Sequence, residues 1–265
     1  MTIPIAWVDH RVVDSLTDQL RAAGCVYAEA EATVLRSAAT SADQLAEFLA
    51  ARLGGMPLEH VVGYAKFCGL RIDLPPGVFV PRQRSRLLVR LAIELLHPGA
   101  VVVDLCCGSG AIGMAIAAVV DGVSLHAVDI DPNAVACAAA NLREYDGHVY
   151  LGDLTGGLPS TLRGQVDVIV ANAPYVPSAE IDFMPAEARD HEPRIALDGG
   201  GDGTEIQRRI ATQAPIWLRA GGALLIETST AHADATAAAC LAGGLTARVV
   251  ADADLDATAV VARKP

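Results

Sequence analysis

Short β-branched runs alternate with stretches of helical spacing from residue 101 to residue 227, and no other feature constrains the fold as strongly. The runs cover 101–105, 125–129, 149–151, 166–171 and 223–227; helical patterns cover 112–120, 134–142 and 206–218. Strands joined by crossover helices form a parallel sheet covered on both faces, so an α/β architecture is expected. An alanine-rich helix then runs to Cys240. Residues 246–250 and 258–262 follow with no helix between them, so the last strand is expected to run antiparallel to its neighbour.

Upstream the texture differs. Val12, Leu16 and Leu20, then Val34, Leu35 and Ala38, then Leu45, Phe48 and Leu49 recur at helical spacing, and Gly54-Gly55 and Pro57 punctuate the end of the pattern. Residues 67–74 and 78–80 read as two extended runs about Pro75-Pro76-Gly77, a hairpin or bridging ribbon. The expected division is a helical N-terminal domain over 1–62, a β-hairpin linker over 63–82 and an α/β domain over 83–265.

A hydrophobic fraction of 52% with 19% charged residues supplies a packed core and excludes disorder. Apolar runs such as 113–120 stop at Asp121, short of the roughly 20 residues of a membrane span. Asp9, His10 and Arg11 precede any signal-like apolar core, so a cytoplasmic location is expected. The net charge of −11 repels a phosphate backbone, and contact with nucleic acid would have to be local. The six cysteines show no C-x-x-C pair and no grouping at zinc-ligand spacing, so neither a metal nor a disulfide framework is expected.

Residues 101–105 lead into Cys106-Cys107-Gly108-Ser109-Gly110-Ala111-Ile112-Gly113 and a helix. Glycine there lets the backbone turn tightly and approach a ligand, although G-x-G-x-x-G alone fits a plain strand-to-helix turn equally well. Asp129 closes the next strand about 20 residues on, where an acid meets a ribose diol; that suits NAD and S-adenosylmethionine alike. Asp104, inside the first strand, separates the two. A carboxylate there would crowd a pyrophosphate but suits a cofactor with a cationic sulfonium and ammonium. Asp153, after the third strand, is then placed to accept from an adenine amino group, or is simply a turn residue.

The fourth strand ends in Asn172-Ala173-Pro174-Tyr175, where the carboxyl end of a parallel strand faces the ligand crevice. An amide nitrogen is a poor nucleophile because its lone pair is delocalised. Two acceptors gripping its two hydrogens orient it and push electron density toward nitrogen. Asn172 Oδ1 and the Ala173 carbonyl could be those acceptors, with Tyr175 packed on the flat group; an ordinary Asn-x-Pro turn is the alternative.

The loop from Asp104 to Gly110, the Asn172 to Tyr175 turn and the segment His191-Glu192-Pro193-Arg194-Ile195-Ala196-Leu197-Asp198-Gly199-Gly200-Gly201-Asp202-Gly203 together resemble the HemK-type protein-glutamine methyltransferases, and the likeness spans nearly the whole chain. The resemblance implies a class I methyltransferase domain, a Rossmann-like and mostly parallel seven-stranded sheet with an antiparallel last strand. It implies a helical substrate-recognition domain in front, S-adenosylmethionine as cofactor and a translation-related protein as substrate. By the same resemblance Asp104, Cys106, Gly108, Gly110, Asp129, Ile130, Asp153 and Leu154 hold the cofactor. Asn172 touches both cofactor and acceptor, the Ala173 carbonyl grips the acceptor, and Pro174 and Tyr175 shape its slot.

Two segments depart from the family pattern. Relatives that methylate release factors carry N-P-P-Y; the resemblance is closest to a subgroup with N-A-P-Y, whose protein substrate it leaves unnamed. Ala173 keeps the carbonyl and precedes Pro174, which holds it extended. After Pro81-Arg82 the family's P-R-P-E-T-E gives way to Gln83-Arg84-Ser85-Arg86. Cations at a helix N-terminus are mildly unfavourable, so Arg82, Arg84 and Arg86 are expected to meet an anionic part of the substrate, with a solvated helical turn as the alternative. The expected activity is methylation of a glutamine side-chain amide in a protein. Two other classes stay open: methylation of an exocyclic amino group in nucleic acid, against which the missing basic footprint argues, and a non-catalytic cofactor-binding module.

Overall fold

The computed structural model describes residues 10–265; Asp9 lies outside them, and so does the side chain of Val12. The chain opens with α1 (His10–Ala22), α2 (Ala28–Ala38), α3 (Ala42–Leu53) and the short α4 (Leu58–Val62), which carries the helical unit past Pro57. Leu16, Leu20, Leu35 and Val61 are buried together, so the apolar stripes become the core of this unit. Ser41 caps α3 by accepting from the Gln44 N–H at 3.1 Å, and Gln44 Oε1 accepts from the Thr40 N–H at 2.7 Å. This reciprocal cap fixes where the helix begins. Arg52 donates to Glu31 at 2.6 Å and to the Met56 carbonyl at 3.1 Å, which matches the charge buried between α2 and α3.

The hairpin lies earlier than the proline pair suggests. β1 (Tyr64–Phe67) and β2 (Leu70–Asp73) pair antiparallel around Cys68-Gly69, whose φ angles of 49° and 79° are both left-handed. A two-residue turn of that kind matches the twist of its strands. Residues 78–80 form no strand. Val78 and Val80 are buried with Ala65, Leu74 and Cys137, so Pro75-Pro76-Gly77 returns the chain to a core instead of turning a hairpin.

The second unit begins with a single 3-10 turn at Gln83–Ser85 and then α5 (Arg86–Ile93). There follow β3 (Val101–Leu105), α6 (Ala111–Ala117), β4 (Ser124–Asp129), α7 (Pro132–Asn141), β5 (His148–Leu151) and β6 (Val166–Ala171). The remainder is α8 (Ala186–His191), α9 (Glu205–Trp217), β7 (Leu218–Thr228), α10 (Ala233–Ala242), β8 (Thr246–Asp252) and β9 (Ala257–Arg263). The seven strands lie in the order β5-β4-β3-β6-β7-β9-β8. Strands β5 to β7 are parallel, and β9 runs antiparallel to both β7 and β8, as the helix-free tail predicts.

Every residue of β6 is buried, as a central strand covered on both faces requires. Leu88, Val102 and Ile116 pack on one face of the sheet, and Ile169, Ile210 and Trp217 on the other. Strand order reverses at β3, with β4 on one side and β6 on the other, and a crevice opens at the carboxyl ends of these strands. Among the described residues no helix is long and apolar enough to cross a membrane, and no group of His, Cys, Asp and Glu could hold a metal ion.

Candidate active site

A cavity of about 500 Å³ occupies that crevice. On its β4 side the wall includes Cys106, Gly108, Asp129, Ile130, Asp153 and Leu154; on its β6 side it includes Ser85, Asn172 and Pro174. Asp129 ties the glycine loop to the end of β4, because Oδ2 accepts from the Gly108 N–H at 2.8 Å and Oδ1 from the Asp131 N–H at 2.9 Å. Each oxygen keeps a second acceptor position. Burial pushes this carboxyl up from its usual pKa, and the backbone donors oppose the shift.

Two residues of the loop motif stand elsewhere. Gly110 is outside the cavity wall; a Cβ on it would come within 3.2 Å of Ala138 and Leu142, so the missing side chain lets α6 pack on α7. Asp104, expected to face a cofactor cation, lies beneath the loop and not in the wall. It is 1% exposed, Oδ2 accepts from the Gly113 N–H at 2.9 Å, and Oδ1 has no hydrogen-bond partner among the described residues. Burial pushes its pKa up to about 8.

Asp153 Oδ2 accepts from Arg209 Nη2 at 2.5 Å, a partner from α9 that sequence reading missed because the two lie far apart in the chain. Ile130 and Ile195 line the cavity and are about half exposed, apolar surface suited to a flat ring. Asp129, Asp131, Asp153 and Asp198 share the wall with Arg194 and Arg209. That charge balance disfavours a pyrophosphate and suits a cation.

On the β6 side Asn172 Nδ2 donates to Ser85 Oγ at 3.2 Å, and among the described residues no protein donor is bonded to its Oδ1. Ala173 is 1% exposed and Tyr175 is partly buried; neither side chain forms the cavity wall. Tyr175 packs instead beneath the Arg84 guanidinium, 5.7 Å from its ring centre. The glycine-rich segment lies flat against this turn: a Cβ on Gly199 would stand 2.7 Å from Tyr175 Cα, and the Gly199 N–H donates to the Val176 carbonyl at 2.8 Å.

The arginines expected to meet a substrate find partners inside the chain. Arg82 Nη2 donates to the buried Glu192 at 2.6 Å, and Glu192 also accepts from the Val80 N–H at 3.2 Å. Arg84 Nε donates to Glu227 at 3.1 Å. A cation at the start of α5 is therefore balanced by a buried carboxylate, not left for an external anion. Arg86 is exposed beside Cys68. None of the three lines the cavity. Glu227, a charge closing an otherwise apolar strand at its carboxyl end, was the signal available in the sequence for this cluster.

Comparison with known proteins follows the same lines. Residues 70–202 match the family model described as the methyltransferase small domain. The release factor glutamine methyltransferase of Geobacter sulfurreducens is 32% identical over 250 residues, covering 87% of each chain. That of Streptomyces coelicolor is 38% identical over 192 residues, 71% of this chain and 66% of the relative. Among solved structures, a methyltransferase from Pyrococcus furiosus covers 74% of this chain and 89% of its own at 18% identity, with a TM-score of 0.54, a likeness of fold. With a seven-stranded methyltransferase sheet, a negatively lined crevice at its switch point and relatives matched over most of their length, the chain belongs to the HemK-type family of release factor glutamine methyltransferases.

Proposed function

We propose that the protein transfers a methyl group from S-adenosylmethionine to the side-chain amide nitrogen of a glutamine in a release factor, in the cytoplasm. The observation that carries this reading is the placement of Asn172: it ends β6 at the cavity wall, its Nδ2 is engaged by Ser85, and its Oδ1 remains available. The residues present fit the cofactor. The wall is rich in carboxylates, and the acid closing β4 keeps acceptor positions on both oxygens.

In this reading Asp129 accepts from the ribose hydroxyls and Asp153 from the adenine amino group, with Ile130 and Leu154 against the base and Cys106 and Gly108 against the remainder. The cofactor supplies an electrophilic methyl on a cationic sulfur, so the protein needs neither metal nor strong base. Asn172 Oδ1 and the Ala173 carbonyl accept the two N–H groups of the glutamine amide and hold its nitrogen in line, and Pro174 and Tyr175 keep the turn extended. Such positioning is worth roughly 7 to 11 kcal/mol in favourable cases. The amide proton leaves to water once the N–C bond has formed. Residues 1–62 serve as the substrate-recognition domain and 63–82 as its linker, with the methyltransferase domain over 83–265. The net charge of −11 and the acidic wall do not favour a nucleic-acid acceptor.

The test is incubation of the protein with tritiated S-adenosylmethionine and purified bacterial release factor, followed by mass spectrometry of the labelled species. A single methyl on a glutamine side chain is expected. Label in nucleic acid, or none in the release factor, overturns the substrate.

A further inference from the structure

The turn that carries Asp153 is held from two sides. Toward β4 the Gly152 N–H donates to the Asp129 carbonyl at 2.9 Å. Toward α9 there are two side-chain bonds one helical turn apart: Arg209 Nη2 donates to Asp153 Oδ2 at 2.5 Å, and the Thr155 hydroxyl donates to Gln213 Oε1 at 2.6 Å. Ile206, Arg209 and Gln213 are spaced by three and four residues, so one face of α9 meets this turn. Ile206, Arg209 and Asp153 all line the cavity.

The ion pair adds little to the fold. Its side chains are 44% and 52% exposed, and solvent screens a pair of that kind. What it supplies is direction. An aspartate on an open turn can rotate, whereas a guanidinium holding Oδ2 on the α9 side leaves Oδ1 as the oxygen for a ligand; among the described residues no hydrogen bond reaches Oδ1. Arg209 has donors to spare, since the bond to Asp153 uses one of its five N–H groups. The wall therefore carries an oriented acceptor beside a donor. Adenine offers the complementary edge, an amino group beside a ring-nitrogen acceptor. Hypoxanthine has an oxygen in place of the amino group and a proton on the neighbouring nitrogen, which sets lone pairs against the carboxylate.

We infer that Arg209 determines specificity for the base of the cofactor, by orienting Asp153 and by standing beside it as the donor of the pair. The inference rests on the reading that Asp153 meets the adenine amino group. Gln213 supports the same turn through Thr155, which is 8% exposed, so the backbone under Asp153 stays in place when the arginine is changed.

The test is calorimetry with S-adenosylhomocysteine and S-inosylhomocysteine, which differ only in the base. The proteins are the parent, Arg209→Met, Arg209→Lys, Asp153→Asn and the double variant Arg209→Met/Asp153→Asn. The parent is expected to favour the adenosyl ligand by about tenfold to a hundredfold, because the inosyl ligand leaves polar groups of the site mispaired. Arg209→Met keeps the aliphatic stem; it should weaken the adenosyl ligand about tenfold and leave the inosyl ligand within about twofold, so the preference collapses. Its Tm should stay within about 2 °C of the parent, as loss of a screened pair predicts. Arg209→Lys keeps a charge and a donor and should restore part of the preference. Added to Asp153→Asn, the arginine substitution costs nothing further, since residues acting as one unit are not additive.

A parental preference in Arg209→Met overturns the inference, and so does an equal loss of affinity for both ligands, the mark of a packing role. If Arg209→Met fails to fold, Arg209→Leu replaces it under the same expectation. Should Asp153→Asn keep the parental affinity and preference, the placement of adenine at Asp153 falls and the inference with it. A weakened, unselective Asp153→Asn beside an unaffected Arg209→Met sinks only the role of Arg209.

Discussion

On the β4 side of the cavity Asp129 is held by backbone N–H donors, those of Gly108 and Asp131, while Asp153 alone bonds a distant side chain, Arg209 of α9. On the β6 side Asn172, Ser85, Arg84 and Glu227 come from three separate segments and are held by one another's side chains. Backbone donors stay in place whatever the neighbouring side chains are, so a substitution on the first side acts locally. A side-chain network has no such anchor. A change in one member propagates to the rest, and the segment that departs from the family pattern at Arg84 finds its compensation in a strand far along the chain.

The largest expected effect lies on the side-chain-held side. Asn172→Ala should lower kcat by about tenfold to a thousandfold with the cofactor Kd nearly unchanged, the range for removing a preorganised polar group at a reacting centre. A parental rate would return the turn to a structural role and erase the difference between the two sides. Asp129→Ala should do the reverse. Calorimetry should show S-adenosylmethionine weakened by roughly tenfold to a hundredfold, the equivalent of a charge-assisted hydrogen bond, with circular dichroism unchanged. Affinity equal to the parent's would remove Asp129 from the cofactor site.

Two arginines two residues apart sharpen the contrast. Arg84→Glu sets a second carboxylate against buried Glu227, so Tm should fall by about 2 to 4 °C, the consequence of about 1 kcal/mol in a chain of this size once solvent screening of the half-exposed arginine is allowed for. Arg86→Glu should leave Tm alone and raise KM for the release factor by about twofold to threefold at low salt only. If Arg84→Glu also behaves in that way, the ion pair contributes nothing to the fold.

The smallest effect concerns the exception on the backbone-held side. Asp104 has one oxygen held by a backbone donor and one without a partner among the described residues, and its pKa is pushed up to about 8 from the usual carboxylate range. Between about pH 4 and pH 8 the folded protein keeps a proton that the unfolded chain has lost, so this group's contribution to stability declines as pH rises through that window. Asp104→Asn removes the titration. The Tm of the variant relative to the parent should therefore climb from pH 5 to pH 8. A flat difference would mean that Asp104 is ionised and matched in the folded state.

Legibility in the sequence divides along the same boundary. The strand, the glycine loop and Asp129 could be read because each signal is local and its spacing is set by one βαβ unit. Asn172 could be read because a polar residue following the apolar run 168–171 at the end of a strand is conspicuous. Ser85 and Glu227 could not be assigned, since their partners lie 87 and 143 residues away and only the completed sheet brings them together. The same limit explains Arg84, whose sign suggested an external anion. The hairpin was misplaced for a different reason: Pro75-Pro76-Gly77 is the louder turn signal, whereas Cys68-Gly69 turns the chain through a cysteine in a conformation that side chains rarely adopt.

Strand β9 comes last of the described strands in chain order, yet both of its edges are paired, with β7 through Glu227 opposite Ala259 and with β8 through Val249 opposite Val260. While a ribosome still holds residues 257–263, β7 has an open edge and nothing sets the register of the carboxylate that closes it. The helical unit and the glycine loop can fold as they emerge, in the usual N-terminal-first order. The β6 side of the crevice waits for β9. A nascent chain can thus complete the helical unit and the glycine loop before the open edge of β7 is paired, and the sheet closes in one late step.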